Sequence, residues 1–126
     1  MALSGIIERV LTKLRKDPLS FEFRKPVDPK FAPDYYEVIT TPMDIGTMLA
    51  RSREKDYVSL EDFYTDFHLM VSNCHRYNDG RNPGLPPAVD QLLEMLNQEM
   101  KKVRTFTMTH GHWRVAYQSI NQSINH

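Results

Sequence analysis

The sequence lacks several features that stabilise small proteins or direct them to a particular partner or compartment. Its 126 residues include one cysteine, Cys74, which excludes an internal disulfide and is compatible with a reducing compartment. The sixteen basic and sixteen acidic residues cancel, so no net charge draws the chain to nucleic acid or to an anionic membrane. No apolar run approaches the ~18 residues that span a bilayer. We therefore expect one soluble, intracellular domain that makes no membrane contact.

The motifs of metal centres and of enzyme active sites are also absent. The sequence contains no Cys-x-x-Cys or His-Glu-x-x-His pattern, no glycine-rich phosphate loop and no Gly-x-Ser-x-Gly elbow. Cys74 and His75 are neighbours, but adjacent side chains on a helix point about 100° apart, which does not suit a nucleophile and its base. We predict no catalytic residues, no metal site and no cofactor.

The most informative stretch runs from residue 59 to residue 78, where apolar residues recur at three- and four-residue steps. This spacing is typical of one buried face of an amphipathic helix. The apolar positions are Leu60, Phe63, Tyr64, Phe67, Met70, Val71, Cys74 and Tyr77. Ser59 and Asp62 predict a cap at the start, and residues 79–84 cannot continue the helix. Tyr77 and Asn78 are therefore expected at the end of a core helix.

The same periodicity predicts three further helices, around residues 3–16, 45–49 and 89–103. All eight prolines lie outside these helices, in the segments 18–42 and 83–87, where they oppose regular helix and central strand. The first segment is a long loop. It carries the aromatic residues Phe21, Phe23, Phe31, Tyr35 and Tyr36, which either line a pocket or roof the end of the helical bundle.

The chain after the last predicted helix is harder to assign. We place the domain at residues 1–104 and a C-terminal extension at residues 105–126. The apolar residues of the extension are Phe106, Trp113, Val115, Tyr117 and Ile120. They favour a further helix against the bundle, whereas His110-Gly111-His112 interrupts that pattern. The basic residues around its start fit a solvated helix end better than a nucleic-acid site.

The two proline-bearing loops are expected to meet over the end of the central helix and to enclose a pocket there. We expect Phe21, Val27, Tyr35 and Tyr77 in the lining, together with residues of the second loop. Asn78 would bring a carboxamide with two N–H donors and one acceptor to this mainly apolar surface. A neutral amide carbonyl is the guest that such a pocket favours.

Five motifs, in this order along the chain, resemble those of bromodomains, the four-helix modules that bind acetyl-lysine. They are Phe21-Glu22-Phe23, Lys25-Pro26-Val27-Asp28, Pro33-Asp34-Tyr35-Tyr36, Thr41-Pro42-Met43-Asp44 and Asn73-Cys74-His75-Arg76-Tyr77-Asn78. The resemblance covers residues 3 to 104. It implies an all-α, left-handed four-helix bundle with a long proline-rich loop between helices 1 and 2 and a short loop between helices 3 and 4. Both loops are most similar to those of bromodomains attached to AAA-type ATPases.

The resemblance also implies a role for each matching residue. Asn78 would donate to the acetyl carbonyl, and Tyr35 would reach the same oxygen through an ordered water. The apolar contacts would be Val27 at the side of the pocket, Phe23 at its floor and Tyr77 at its wall. Phe21 and Glu22 stand where many members carry Trp and Pro on the shelf outside the pocket, so the shelf is altered. The second loop offers Leu85, Ala88 and Val89 for the gatekeeper position.

The implied function is non-catalytic binding of acetylated lysine, on histone or other protein tails, by a monomeric domain in the nucleus. Burial of an unmodified ammonium without a partner costs several kcal/mol, and acetylation removes that charge. Glu22, at the rim, is the one carboxylate expected in the lining, so selection would act mainly by rejecting charge. The alternative is a helical protein-interaction module with a degenerate pocket, which the altered shelf and the unassigned gatekeeper favour.

Overall fold

The structure is a computed structural model that describes residues 2–110, with side chains as far as residue 103. The elements in chain order are α1 (Leu3–Lys16), a 3-10 helix (Pro18–Phe23), α2 (Tyr35–Val38), α3 (Ile45–Arg53), α4 (Leu60–Asn78) and α5 (Leu85–His110). Within residues 2–110 the chain forms no strand, so the all-α fold class is confirmed. None of the helices in this part of the chain has the length and apolarity that crossing a bilayer requires.

The four helices predicted from periodicity correspond to α1, α3, α4 and α5. The 3-10 helix and α2 both lie inside the first proline-rich segment, where no regular structure was predicted. They are short, and proline is compatible with the first turn of a helix, because the N–H groups there have no intrahelical acceptor. The first loop is therefore a structured segment that leads from α1 to α3.

Helix α4 lies at the centre of the fold. Its start is a capping box, in which Oγ of Ser59 accepts from the backbone N–H of Asp62 at 3.2 Å. The Asp62 carboxylate in turn accepts from the backbone N–H of Ser59 at 3.3 Å. Every apolar position predicted from the periodicity is buried. Each large apolar side chain contributes roughly 1.5–3 kcal/mol by leaving water, so this face holds α4 in place.

Helices α1, α3 and α5 pack around α4 and complete one hydrophobic core. Leu11 and Leu14 of α1, Met48 of α3, and Leu92 and Leu96 of α5 are fully buried in it. Helix α5 begins at Leu85, before the predicted start near residue 89, so Pro86 and Pro87 lie in its first turn, where proline is tolerated. The helix passes through residue 104, the expected domain boundary, and is described as far as His110. The rest of the predicted extension, including Trp113, Val115, Tyr117 and Ile120, lies outside the described residues, and so does the side chain of Phe106.

Polar contacts tie the first loop to the bundle. Nδ2 of the buried Asn73 donates to the carbonyl oxygen of Thr41 at 2.7 Å, which links α4 to the segment before α3. The N–H of Gly46 donates to the carbonyl oxygen of Arg24 at 3.1 Å. A Cβ at position 46 would lie 2.8 Å from that oxygen, so this close approach requires glycine. The loop is thus held at both of its ends.

We expect Ser59→Ala to lower the free energy of unfolding by about 1 kcal/mol, because the N–H of Asp62 loses its side-chain acceptor. Urea denaturation followed by circular dichroism measures the change. Ser72 is exposed on the polar face of the same helix, and Ser72→Ala is the matched control, with an expected change below about 0.5 kcal/mol. Equal losses in the two variants would contradict the role of the cap.

Candidate functional site

The two loops and the end of α4 enclose a cavity of about 540 Å³, here called the loop-end cavity. This volume lies in the range of small-ligand sites. The predicted pocket residues that line it are Phe23, Val27, Tyr35, Tyr77, Asn78 and Leu85. Two other predicted positions, Phe21 and Val89, do not line it.

Asn78 is only 6% exposed and lines the cavity. Its Oδ1 accepts from Nδ2 of Asn82 at 2.8 Å, and its Nδ2 donates to the carbonyl oxygen of Cys74 at 3.0 Å. These contacts determine which end of the carboxamide is the donor. For its second N–H, the described residues offer only the Cys74 sulfur, a weak acceptor 3.7 Å from Nδ2. Asn78 therefore keeps a donor for a guest carbonyl.

Tyr35 brings a second donor to the cavity. Its ring packs edge-on against Tyr36 and Tyr77, with centroid separations of 5.2 and 4.8 Å. Among the side chains and backbone groups of residues 2–103, none forms a hydrogen bond with its hydroxyl, although the residue is only 6% exposed. Burial raises the pKa of Tyr35 to about 12, so the hydroxyl stays protonated at neutral pH. A buried hydroxyl requires a partner, and the cavity can supply a water or a ligand.

Tyr77 forms a wall of the cavity and connects the two loops. Its hydroxyl donates to Oδ1 of Asp34 at 2.6 Å, and Nη1 of Arg81 donates to Oδ2 of the same carboxylate at 2.7 Å. The Arg81 guanidinium also lies over the Tyr77 ring, 4.5 Å from its centroid. The hydrogen bonds from Tyr77 and then from Arg81 lower the pKa of Asp34. Asp34 belongs to the first loop and Arg81 to the second, so both loops meet at Tyr77.

The expectation that Glu22 is the one carboxylate of the lining is wrong, because the buried Asp44 also lines the cavity. Oδ2 of Asp44 accepts from the backbone N–H of Thr47 at 2.9 Å, and Oδ1 accepts from the Thr47 hydroxyl at 2.6 Å. Asp44 is thus the N-terminal cap of α3. Each of its oxygens already accepts one hydrogen bond from Thr47, so the carboxylate is held in place at the start of this helix.

The two predicted residues outside the lining have different environments. Phe21 is 68% exposed, and the Arg24 guanidinium lies 5.5 Å from its ring centroid. Val89 is fully buried in the core, because α5 starts at Leu85 and its next turn already packs against α4. Of the three gatekeeper candidates, Leu85 is therefore the one that lines the cavity.

The aromatic residues of the first loop divide into two groups. Phe23 and Tyr35 are buried, whereas Phe31 is 88% and Tyr36 41% exposed. Phe31 lines the cavity despite this exposure, which places it at the mouth. The Tyr36 hydroxyl donates to the carbonyl oxygen of Val27 at 2.6 Å, which joins two parts of the first loop. Neither Phe31 nor Tyr36 roofs the core.

Asn82 lines the cavity and contacts Asn78, although it was not among the predicted site residues. In the sequence it begins the Asn82-Pro83-Gly84 run of the second loop, four residues after Asn78. That spacing implies contact within a helix, whereas Asn82 lies after the helix has ended. The turn of the second loop, rather than helical periodicity, brings the two side chains together.

A larger cavity of about 740 Å³ lies between α1 and α5, at a distance from these groups. Its apolar floor includes Ile6, Val10 and Val103. Charged side chains surround that floor, namely Glu8, Arg9, Lys13, Lys16, Glu99 and Lys102. Such a surface does not select a neutral guest, so the loop-end cavity is the better candidate despite its smaller volume.

A comparison with protein families identifies the family of this chain. A family model described as Bromodomain matches residues 7–88. The chain belongs to the bromodomain family. Bromodomains are non-catalytic modules that bind acetylated lysine, so this chain is a reader module and not an enzyme. The loop-end cavity is its candidate acetyl-lysine site.

Several curated proteins are similar to this bromodomain. Transcription initiation factor TFIID subunit 1 of Oryza sativa subsp. japonica is 45% identical over 93 residues, which cover 74% of this chain and 5% of that protein. The same subunit of Arabidopsis thaliana is 45% identical over 96 residues, which cover 75% of this chain and 5% of the relative. The SWR1 complex bromodomain subunit bdf1 of Schizosaccharomyces pombe is 36% identical over 88 residues, which cover 68% of this chain and 15% of that subunit. The chain thus spans a small part of these relatives, and the likeness to AAA-type ATPases stays a prediction.

Solved bromodomain structures share the fold. CpBRD2 from Cryptosporidium superposes with a TM-score of 0.75 at 31% identity, and the match covers 80% of this chain and 94% of that one. The bromodomain of human BAZ1A gives a TM-score of 0.72 at 28% identity, with 78% and 94% covered. These matches confirm the predicted helical-bundle class.

His75 joins the end of α4 to α5 beside the site. Its Nε2 lies 2.7 Å from Oδ1 of Asp90, and its Nδ1 lies 3.4 Å from Oδ1 of Asp79. The hydrogen bond with Asp90 is the main cause that raises the pKa of His75 above its ordinary value of 6.5. His68 lies on the same helix, and desolvation lowers its pKa.

We expect His75 to stabilise the bromodomain in acid and to lose that effect as the pH rises. A raised pKa in the folded state contributes stability below the unfolded pKa of about 6.5, and this contribution disappears as the pH passes the folded pKa. The melting temperature of wild type minus that of His75→Gln should therefore be larger near about pH 5.5 than near about pH 8. For His68→Gln the trend should reverse, because the pKa of His68 is lowered. A His75 difference that does not vary with pH would contradict the bridge.

Proposed function

We propose that this bromodomain binds acetylated lysine of histone tails in the loop-end cavity and acts in the nucleus. The observation that carries the proposal is a pair of donors on the cavity wall: the second N–H of Asn78, for which the described residues offer only the weak Cys74 sulfur acceptor, and the Tyr35 hydroxyl. An acetyl carbonyl accepts through two lone pairs. It can take one hydrogen bond directly from Asn78 and a second, through a water, from Tyr35.

The apolar part of the lining covers the rest of the acetylated side chain. In this proposal Phe23 forms the floor under the acetyl methyl group, and Tyr77 forms the wall. Val27 and Leu85 lie along the lysine stem from the two loops, with Leu85 as gatekeeper. Phe21 remains on the shelf outside the cavity, where it can meet only neighbouring residues of the ligand.

Discrimination against unmodified lysine follows from the same lining. An ammonium in this cavity would exchange water for apolar walls and two donor groups, at a cost of several kcal/mol. The buried carboxylate of Asp44 would offset part of this cost, although each of its oxygens already accepts one hydrogen bond from Thr47. The favourable terms are hydrogen bonds of about 0.5–1.5 kcal/mol each and limited apolar contact, so affinity for a single mark is weak.

The histone partner and the nuclear location are supported by the relatives. These are named as subunits of transcription initiation factor TFIID and as a bromodomain subunit of the SWR1 complex. We take residues 1–104 as the binding domain, which acts as a monomer, and assign neither nucleic-acid contact nor a cofactor to it. A module with a degenerate pocket would need Asn78 turned to solvent or a cavity filled by the domain's own side chains. A buried Asn78 and an open cavity of about 540 Å³ count against that alternative.

We expect Asn78→Ala to weaken binding of a fully acetylated histone H4 tail peptide by at least about tenfold, because the buried acetyl carbonyl loses its direct donor. Isothermal titration calorimetry measures the affinity, and circular dichroism should show an unchanged helical fold. Gln91→Ala removes an exposed amide of α5 and is the matched control. Undiminished binding by the Asn78 variant would remove that residue from its role.

We expect Tyr35→Phe to weaken the same peptide by less, about two- to fivefold, because the bridging water keeps other partners. Calorimetry on both variants in parallel gives the comparison. Tyr36→Phe removes a neighbouring hydroxyl that is bonded to Val27 rather than directed into the cavity, and it should bind the peptide like wild type. If Tyr35→Phe also bound like wild type, the water bridge would be unsupported.

A further inference from the structure

We propose that Asn82 is a positioning residue, which sets the orientation of the Asn78 carboxamide and thereby the preference for acetylated over unmodified lysine. This inference rests on the function proposed for the loop-end cavity. It concerns a residue outside the five motifs on which the family resemblance was based.

The two ends of a carboxamide have nearly the same shape but opposite hydrogen-bonding character, so contacts alone decide which end faces which way. In the observed orientation, Oδ1 of Asn78 lies 2.8 Å from Nδ2 of Asn82, and Nδ2 of Asn78 lies 3.0 Å from the carbonyl oxygen of Cys74. A rotation by 180° would place donor against donor at Asn82 and acceptor against acceptor at Cys74. Both contacts therefore favour one orientation.

Of these two contacts, only that of Asn82 is made by a side chain. The Cys74 carbonyl belongs to the backbone of α4 and is part of the helical hydrogen-bond ladder. A substitution at Asn82 can therefore replace the donor that faces Asn78 by an acceptor, and it leaves the backbone of α4 unchanged.

The second loop holds Asn82 in position for this contact. The backbone N–H groups of Arg81 and Asn82 both donate to the carbonyl oxygen of Asn78, each at 2.9 Å. The carbonyl oxygen of Asn82 accepts from the N–H of Leu85 at 3.1 Å, and Pro83 restricts the backbone in between. The backbone of the second loop therefore holds the side chain of Asn82 against Asn78, the last residue of α4.

The orientation of Asn78 has a chemical consequence for the guest. With Oδ1 engaged by Asn82, Asn78 offers an N–H to the cavity, which suits an acetyl carbonyl and opposes an ammonium. The reversed carboxamide would offer an acceptor, which suits an ammonium and opposes a carbonyl. Asn82 therefore contributes to selectivity without contact with the acetyl group itself.

Asn82→Asp tests the inference, because it keeps the shape of the side chain and replaces its donor by an acceptor. Calorimetry with a fully acetylated histone H4 tail peptide and with its unmodified form gives both affinities. We expect the acetylated peptide to bind at least about tenfold more weakly than to wild type, and the ratio of the two affinities to fall. Asn82→Ala removes the donor without repulsion, so its loss should be smaller, about two- to fivefold.

Gln91→Glu is the matched control, since it makes the same amide-to-acid change at an exposed site on α5 that does not line the cavity. It should bind both peptides like wild type. The side-chain NH₂ resonances of Asn78, followed by NMR in the ligand-free protein, provide a second readout. They should shift strongly in Asn82→Asp and remain in place in Gln91→Glu, because only the first variant changes the partner of the carboxamide.

Unchanged affinity and selectivity in Asn82→Asp would overturn the inference. Weaker binding with unmoved Asn78 resonances would also overturn it, because Asn82 would then act on the loop rather than on the carboxamide. If Asn82→Asp does not fold, Asn82→Ala decides by the same two readouts. If wild type does not bind the acetylated peptide, the proposed function fails, while the resonances still report whether Asn82 orients Asn78.

Discussion

The carboxylate of Asp34 accepts hydrogen bonds from Tyr77 and Arg81 and so holds the two loops of the site together. Each loop has its own attachment to the bundle, the first through Asn73 and Thr41 and the second through the carbonyl of Asn78. Without Asp34 the two attachments would be independent. Since Arg81 and Asp34 are both largely solvated, water screens their attraction. The effect of the contact is therefore mainly geometric, because it fixes the distance across the cavity at the wall formed by Tyr77.

The same end of the bundle explains why a cavity can persist in a well-packed protein. The core is filled mainly by the apolar faces of α1, α3, α4 and α5, to which the first loop adds Phe23 and Met43. The loops satisfy their own backbone groups through turns, through the short 3-10 helix and through α2. Two donors that neither the core nor the loops engage remain at the boundary, on Asn78 and Tyr35. A ligand can use them at no cost to the fold.

The sequence predicted the helices well because periodicity is local. The face of α4, its capping box and the prolines in the first turn of α5 are all determined within a few residues of one another. The site was predictable where the family motifs name a residue, and five residues assigned to the pocket from those motifs do line the cavity. The contacts of Asn73 with Thr41 and of Asp34 with Arg81 join residues far apart in the chain, and no periodicity encodes them. Val89 was offered as a gatekeeper of the second loop although the periodicity also placed it in the last helix, and its burial in the core agrees with the periodicity.

Exclusion of charge does not by itself explain why the cavity would prefer acetylated lysine. An apolar cavity excludes ammonium, but it excludes any polar group that lacks a partner, including the carbonyl of an acetylated lysine. Preference for the acetyl group therefore requires a donor that is already oriented when the ligand arrives. A free carboxamide could turn to suit either guest, and part of the discrimination would then be lost. The contacts with the Cys74 carbonyl and with Asn82 together oppose that rotation, so a mainly apolar site can distinguish two forms of lysine with a single directed N–H.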